Sequence, residues 1–160
     1  MTSIRQATVN DAIVVAQLNR FVHDLHFEQR PDHFRTPGLD ELTDWYQLRL
    51  AHSDTACWIA EADGTAIGYL LAIYHQRPVT PFSPARNWCE IDQVAIDPSH
   101  RRHGIGQALM QAAIAAANGK GIRTIEASSW AFNDDMHRFL GRLGFKRKVI
   151  RFELSLDNER

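Results

Sequence analysis

The chain has 160 residues, the size of one domain, and at that length roughly 68–70% of the unfolded chain's surface can be buried. A core of that extent needs neither a metal nor a disulfide to hold it. With 18 Lys and Arg against 19 Asp and Glu the net charge is −1, which gives no reason to expect nucleic acid or an anionic membrane as partner.

In chain order, residues 4–7 read as a short strand, and Thr8-x-x-Asp11 has the form of a capping box. Behind it Val14, Leu18, Phe21, Val22 and Leu25 recur at helical spacing, in a helix expected to end before Pro31. Residues 40–51 form a second helix with Leu42, Trp45, Tyr46 and Leu50 on its apolar side. Residues 57–62 and 66–75 read as two strands around Asp63-Gly64, a strong hairpin signal. Residues 76–87 hold Pro78, Pro81 and Pro84 and read as a surface loop. A strand over 88–96 and a helix over 105–118, stopped at Asn118-Gly119, come next. A strand over 124–129, a short helix over 134–142 and a final strand over 145–156 complete the order. That order, β-α-α-β-β-β-α-β-α-β, fits a mixed sheet with helices on both faces. No repeat or linker interrupts it, so one domain over residues 1–160 is expected.

Cys57 and Cys89 both lie in apolar, strand-like runs and read as buried thiols of a reducing compartment. The first residues hold no apolar stretch of signal-peptide length. No segment approaches the ~20 apolar residues of a membrane span. A cytoplasmic protein without a membrane partner is the expectation. The last strand and the proline-rich loop could each reach a second subunit, so a homodimer is left open.

The most informative stretch is residues 91–112. An apolar strand ends in Asp97-Pro98, and a polar turn leads to Arg101-x-x-Gly104-x-Gly106 at the mouth of an amphipathic helix. Glycines let backbone approach a ligand, and helix-start N–H groups lack intrahelical partners, so a phosphate suits the turn. Gly106-Gln107-Ala108 lacks the Lys-Ser/Thr of a Walker loop, and Leu109 stands where a dinucleotide fingerprint needs a third glycine. Glycines that merely fit a tight strand-to-helix turn are the remaining structural reading.

The pattern Val94-x-Ile96-Asp97-Pro98-x-x-Arg101-Arg102-x-Gly104-x-Gly106 resembles the acetyl-CoA-binding motif of the GNAT N-acetyltransferase superfamily. Asn133 followed by Phe139-x-x-x-Leu143-Gly144-Phe145 is similar to that superfamily's closing motif. The resemblance implies its fold, a mixed, mostly antiparallel central sheet flanked by helices, and acetyl-CoA as co-substrate. It also implies site residues. The backbone from Val94 through Ala95 to Ile96 would pair with the pantetheine arm, as β-augmentation does with an extended peptide. Arg101 is expected among the cofactor-binding residues, and the N–H groups of Arg102, His103, Gly104, Ile105, Gly106 and Gln107 would cradle the pyrophosphate. Asn133 would touch or position the cofactor's arm.

Acetyl transfer to an amine requires an ammonium to lose a proton before attack, so a general base is expected. Unbroken alternation would put Glu90, Asp92, Val94 and Ile96 on one face. Glu90 is the first candidate base and Asp92 the second, with solvent-facing or ammonium-binding acids as the alternative. Val94 N–H is the candidate oxyanion donor. Leu140 stands where many relatives carry a tyrosine that protonates the leaving thiolate. A thiol's pKa near 8.5 makes an unaided departure tolerable. Glu126 and Ser128 could line the acceptor cleft, while Trp130 and Phe132 are expected to pack in the core ahead of shaping the acceptor pocket. His23 and His26, at i and i+3, lack a carboxylate at ligand spacing, so no metal is expected. Glu90 beside Cys89 disfavours a cysteine nucleophile. The expected activity is direct transfer of acetyl to a primary amine of a small molecule or peptide; the alternative is a non-catalytic acyl-CoA-binding module.

Overall fold

The computed structural model describes residues 1–156, in two compact units: Met1–Ser128, and the stretch from Ser129 onward. In the first, β1 (Thr2–Gln6), β2 (Thr55–Ala62), β3 (Thr65–Arg77), β4 (Arg86–Ile96) and β5 (Ile125–Ala127) lie side by side in chain order. The pairs β1–β2, β2–β3 and β3–β4 are antiparallel, and β4–β5 is parallel. Parallel neighbours need a crossover, which α3 (Ile105–Gly119) supplies. The sheet is mixed and mostly antiparallel, as expected.

Each long element follows from its local chemistry. Asp63 and Gly64 both take left-handed backbone, φ +49° and +80°, in a two-residue turn that brings Ala62 opposite Thr65. Cys57 and Ile59 of β2 share a face with Tyr69, Leu71 and Ile73 of β3. That face packs on Ala12, Val15, Ala16 and Leu18 of α1 (Ala12–Gln29) and Tyr46 of α2 (Leu39–Ala51). The alternate residues Trp58, Ala60, Leu70 and Ala72 are buried towards α3, whose Leu109, Met110, Ala113 and Ala117 are fully enclosed. Helices therefore cover both faces. Burial of each large aliphatic side chain contributes about 1.5–3 kcal/mol. The helix stop lies two residues beyond expectation: Gly119 is still helical, and the left-handed terminator is Gly121, φ +74°. Among the described residues no helix is long and apolar enough to cross a membrane.

In the second unit, α4 (Asp134–Arg142) starts where Asn133 Oδ1 accepts the Met136 N–H at 3.1 Å. The strand expected over 145–156 is not formed. Val149, Ile150, Phe152, Leu154 and Leu156 are all exposed there. The alternation is that of a strand, but a strand also needs a ladder of backbone hydrogen bonds, and the described residues here are assigned to none.

Gly68 sits where β3 presses on β4. A Cβ there would lie 2.8 Å from the Ala95 carbonyl oxygen and 3.2 Å from the Ile96 side chain. Gly68→Ala is expected to destabilise the fold by about 1–3 kcal/mol, as overpacking does, read from the shift of the urea midpoint.

The entrance to α1 rests on a charge pair. Arg5 donates to both Asp11 oxygens, at 3.0 and 2.8 Å, and Asp11 also accepts the Thr8 N–H at 2.7 Å. The Arg5 hydrogen bonds hold the Asp11 carboxyl down at about 2. A carboxyl depressed by folding stabilises the native state above its unfolded pKa and ceases to do so as pH falls through the folded one. Arg5 is 40% exposed, so solvent screening limits the effect. Asp11→Asn should lose about 1 kcal/mol at pH 7, and the gap to wild type should narrow between pH 4 and 2 in urea unfolding.

Candidate active site

The site is built on a change of parity within β4. Cys89 N–H donates to Thr124 O, on the β5 side, at 3.0 Å, whereas Asp97 N–H donates to Ile67 O, on the β3 side, at 2.8 Å. Both are odd-numbered, so an unbroken strand would aim them the same way. The extra residue is Asp92: Ile91 opposes Ala72 while Gln93 already opposes Leu71. Beyond this bulge the N–H and C=O groups of Val94 and Ile96 turn away from β3. On that side β5 has left. Its pairing with β4 covers Cys89–Ile125, Glu90–Glu126 and Ile91–Ala127 and then stops. Residues 92–96 therefore present an open edge.

The bulge corrects one expectation. Glu90, Asp92, Val94 and Ile96 do not share a face. Glu90 opposes Ile73, Gln93 opposes Leu71 and Ala95 opposes Tyr69, all on the α1/α2 side, while Val94 opposes Leu70 on the α3 side.

At its C-terminal end the open edge runs into an amide-lined turn. Asp97 Oδ1 accepts the Ser99 hydroxyl at 2.7 Å and the Ser99 N–H at 2.9 Å, and these bonds hold its carboxyl below the ordinary range. Arg102 and Gly104 are both left-handed, φ +65° and +78°, which makes the backbone concave. Gly104 opens α3 with no side chain capping it, and Ala108 N–H is bonded to Gly104 O at 3.0 Å. The N–H groups of Ile105, Gly106 and Gln107 thus lie at a helix start without a side-chain acceptor, an arrangement suited to an anion. A Cβ on Gly104 would meet nothing within 4 Å, so its φ, not crowding, selects glycine. Arg102 and His103 are exposed. Arg101 serves as a brace: its guanidinium donates to Ile96 O and Phe21 O, each at 3.2 Å.

At the other end, where β4 and β5 part, acids gather. Glu90 and Glu126 are direct partners on neighbouring strands. Arg86 bonds to Glu126, and its guanidinium lies 4.3 Å from the Trp88 ring centre. Glu90 Oε2 lies 2.6 Å from His75 Nε2, and His75 stacks on Trp88 with centroids 4.8 Å apart and planes at 15°. Asp92, still in contact with solvent, has its carboxyl raised by partial burial and by the Glu90 charge, against the pull of Arg49 and His75.

A buried polar cluster anchors the bulge from below. Gln93 Oε1 accepts from Tyr46 OH at 2.6 Å and Tyr69 OH at 2.7 Å, and Asn19 Nδ2 donates to Tyr69 OH at 2.9 Å. Burial pushes both phenols up, so they stay protonated donors. Of these residues only Tyr46 stood out in the sequence, and only as an apolar helix position. Gln93, Tyr69 and His75 carried no local signal, because their partners are set by strand register.

The other singled-out residues find different places. Cys89 is buried on the α3 face, and burial followed by the Glu90 charge pushes its thiol up to about 11. His23 Nε2 lies 2.7 Å from Arg35 O, and His26 stacks on Phe34, so both tie the segment after α1 to that helix. Among the described residues no cluster of His, Cys, Asp and Glu is arranged to hold a metal. Trp130 and Phe132 stack on each other in the second unit, which also holds Asn133 and Leu140. A concavity of about 830 Å³ runs along α1 to the β2–β3 turn, and Glu90, Asp92 and His75 are not in its lining.

Comparison with known proteins agrees with this geometry. The model of the Acetyltransferase (GNAT) family matches residues 19–145. An uncharacterized N-acetyltransferase, MJ1207, of Methanocaldococcus jannaschii is 29% identical, the match covering 58% of this chain and 44% of that longer protein. The crystal structure of a tetramutant of the BH1408 protein of Bacillus halodurans is 26% identical with a TM-score of 0.90, covering 96% of this chain and 99% of that one. The aminoglycoside N-acetyltransferase AAC(6')-Iy, solved with CoA, shares the fold at a TM-score of 0.71 and 21% identity, covering 98% of this chain and 95% of that one. The chain belongs to the GNAT acetyltransferase family.

Proposed function

We propose that this chain transfers the acetyl group of acetyl-CoA to a primary amine of a small molecule or peptide, by direct attack on the thioester. The observation that carries the reading is the open edge of β4 leading into the amide-lined turn. Pantetheine is an extended chain bearing amides, and it would pair with the main chain of Val94 and Ile96. Ala95, whose side chain is buried, would hold that edge against the α1/α2 core. The pyrophosphate would lie on the N–H groups from Arg102 to Gln107. Arg101 would act indirectly, by strapping the turn to Ile96 and Phe21.

With the arm on this edge, the thioester reaches the fork where Glu90 and Asp92 stand. Glu90 takes a proton from the acceptor ammonium, directly or through water. Asp92, with its raised carboxyl, binds the ammonium and serves as the second candidate base. Val94 N–H faces the opening and would stabilise the oxyanion. The departing group is a thiolate of ordinary basicity and can leave without a residue acid. Carboxylates around the fork suit a cationic acceptor, and the aminoglycoside acetyltransferase among the structural neighbours makes polyamino sugars the first class to assay.

Gly104→Val should strain a left-handed position by about 1–2 kcal/mol and weaken acetyl-CoA binding about tenfold in calorimetry. Unchanged affinity would remove the turn from the site. Glu90→Gln should lower kcat about 10²-fold in a thiol-release assay with an amine panel, with acetyl-CoA affinity unaltered. Cofactor binding without turnover on any amine would favour the acyl-CoA-binding module instead. Cys89→Ala should keep turnover within about twofold, since a thiol held near 11 is no nucleophile at neutral pH.

A further inference from the structure

Glu90 has a partner that the reaction as written does not use. His75 lies on β3 directly opposite Trp88 on β4, and the two rings stack, which restrains the imidazole plane. The side chain of His75 reaches Glu90 Oε2 through Nε2 at 2.6 Å. An ionised carboxylate can only accept, so the imidazole donates and carries its proton on Nε2. Both side chains are about one-third exposed, at 33% and 29%, so the pair sits at the cleft surface and not in the core.

The contrast with the neighbouring acid is instructive. Glu126, the strand partner of Glu90, is bonded to Arg86, a permanent cation. That contact sets a permanent positive charge against the Glu126 carboxylate. A single imidazole N–H donated to Oε2 fixes one oxygen of Glu90 and leaves the other available. Two side-by-side acids are thus treated differently: one set against a cation, one oriented.

We infer that His75 is a positioning residue for acetyl transfer, holding Glu90 Oε2 so that Oε1 is left to receive the acceptor's proton; this rests on the reading of Glu90 as the base. In that step an N–H bond of the ammonium breaks towards Glu90 Oε1, and the freed electron pair on nitrogen forms the C–N bond to the acetyl carbonyl. The C–S bond breaks with its pair on sulfur, and the second proton lost by nitrogen goes to the departing thiolate. His75 keeps its own proton throughout. Its contribution is orientation, of the kind that makes a reacting group's position count in the rate.

Two His75 variants separate stacking from hydrogen bonding. His75→Phe keeps a ring on Trp88 but has no donor; His75→Gln loses the ring but can still donate to Glu90. With sisomicin, spermidine and a short peptide as acceptors, His75→Phe is expected to lower kcat about tenfold with the acetyl-CoA KM within about twofold, and His75→Gln to recover most of that loss. The double variant Glu90→Gln/His75→Phe should be no slower than Glu90→Gln alone, since both changes disable one unit. A slow Glu90→Gln beside a normal His75→Phe overturns the positioning role and leaves the base assignment standing. A normal Glu90→Gln overturns both, whatever His75→Phe does. Long-range 1H–15N correlation spectra test the pair without any acceptor. They should show the Nε2–H form of His75 in wild type and a displaced signal in Glu90→Gln; an Nδ1–H form overturns the inference.

Discussion

The single inserted residue at Asp92 is the constraint on which the rest of the site depends. A strand bonded on both edges has no main-chain group to offer a ligand. β4 escapes that state in two ways at once. β5 departs after Ala127, which vacates an edge, and the bulge rotates the strand so that Val94 and Ile96 address the vacated side. Without the extra residue those two N–H groups would point into the β3 ladder, and the open edge would display groups of the wrong parity. The Tyr46–Tyr69–Gln93 cluster sits directly under this point, with three polar side chains joined in the apolar α1/α2 core. Removing any one member would leave a buried hydroxyl or amide short of a partner, at about 1–3 kcal/mol. The bulge is thus held by an interaction that is expensive to break.

The same insertion sorts the chemistry onto opposite faces. Cys89 precedes the bulge on the α3 side and is fully buried, while Glu90 turns to the α1/α2 side, where His75 and Trp88 meet it. The thiol and the carboxylate are neighbours in sequence but cannot act together. The charge of Glu90 moreover raises the Cys89 thiol, which keeps it protonated. A covalent acyl-cysteine route therefore lacks both access and ionisation. The carboxylate keeps contact with solvent and with whatever occupies the fork.

How much of this was legible in the chain itself follows from the range of each interaction. The amide-lined turn was legible, because Gly104 and Gly106 at the mouth of an apolar-periodic helix are a local statement about backbone freedom. The Asp63-Gly64 hairpin was legible for the same reason, two left-handed residues in succession. The bulge was not. Alternation in residues 88–96 looks continuous, and only register against β3 reveals the extra residue. The His75–Glu90 pair was hidden with it, since it joins two strands across a long loop. Arg101 was assigned to the phosphate turn by its place in the motif, whereas its contacts with Ile96 and Phe21 needed α1 to be folded. The segment 145–156 failed in the opposite sense: its pattern speaks clearly for a strand, and its described residues form none.

In the proposed transfer a thiolate of ordinary basicity would leave without a residue acid. Where a thiolate departs unaided, the demand on the protein falls on the other proton, the one the ammonium must lose before attack. Under the proposed function that demand would fall on Glu90, whose Oε2 is restrained by His75. Arg86 is bonded to Glu126, the strand partner of Glu90, while Glu90 is bonded to His75. His75, stacked on the Trp88 indole, restrains Glu90 through a single hydrogen bond. In the proposed reading the fork would take a cation, and the amide-lined turn at the far end of the same strand an anion. One strand, with one residue too many, separates the two by the length of an extended arm.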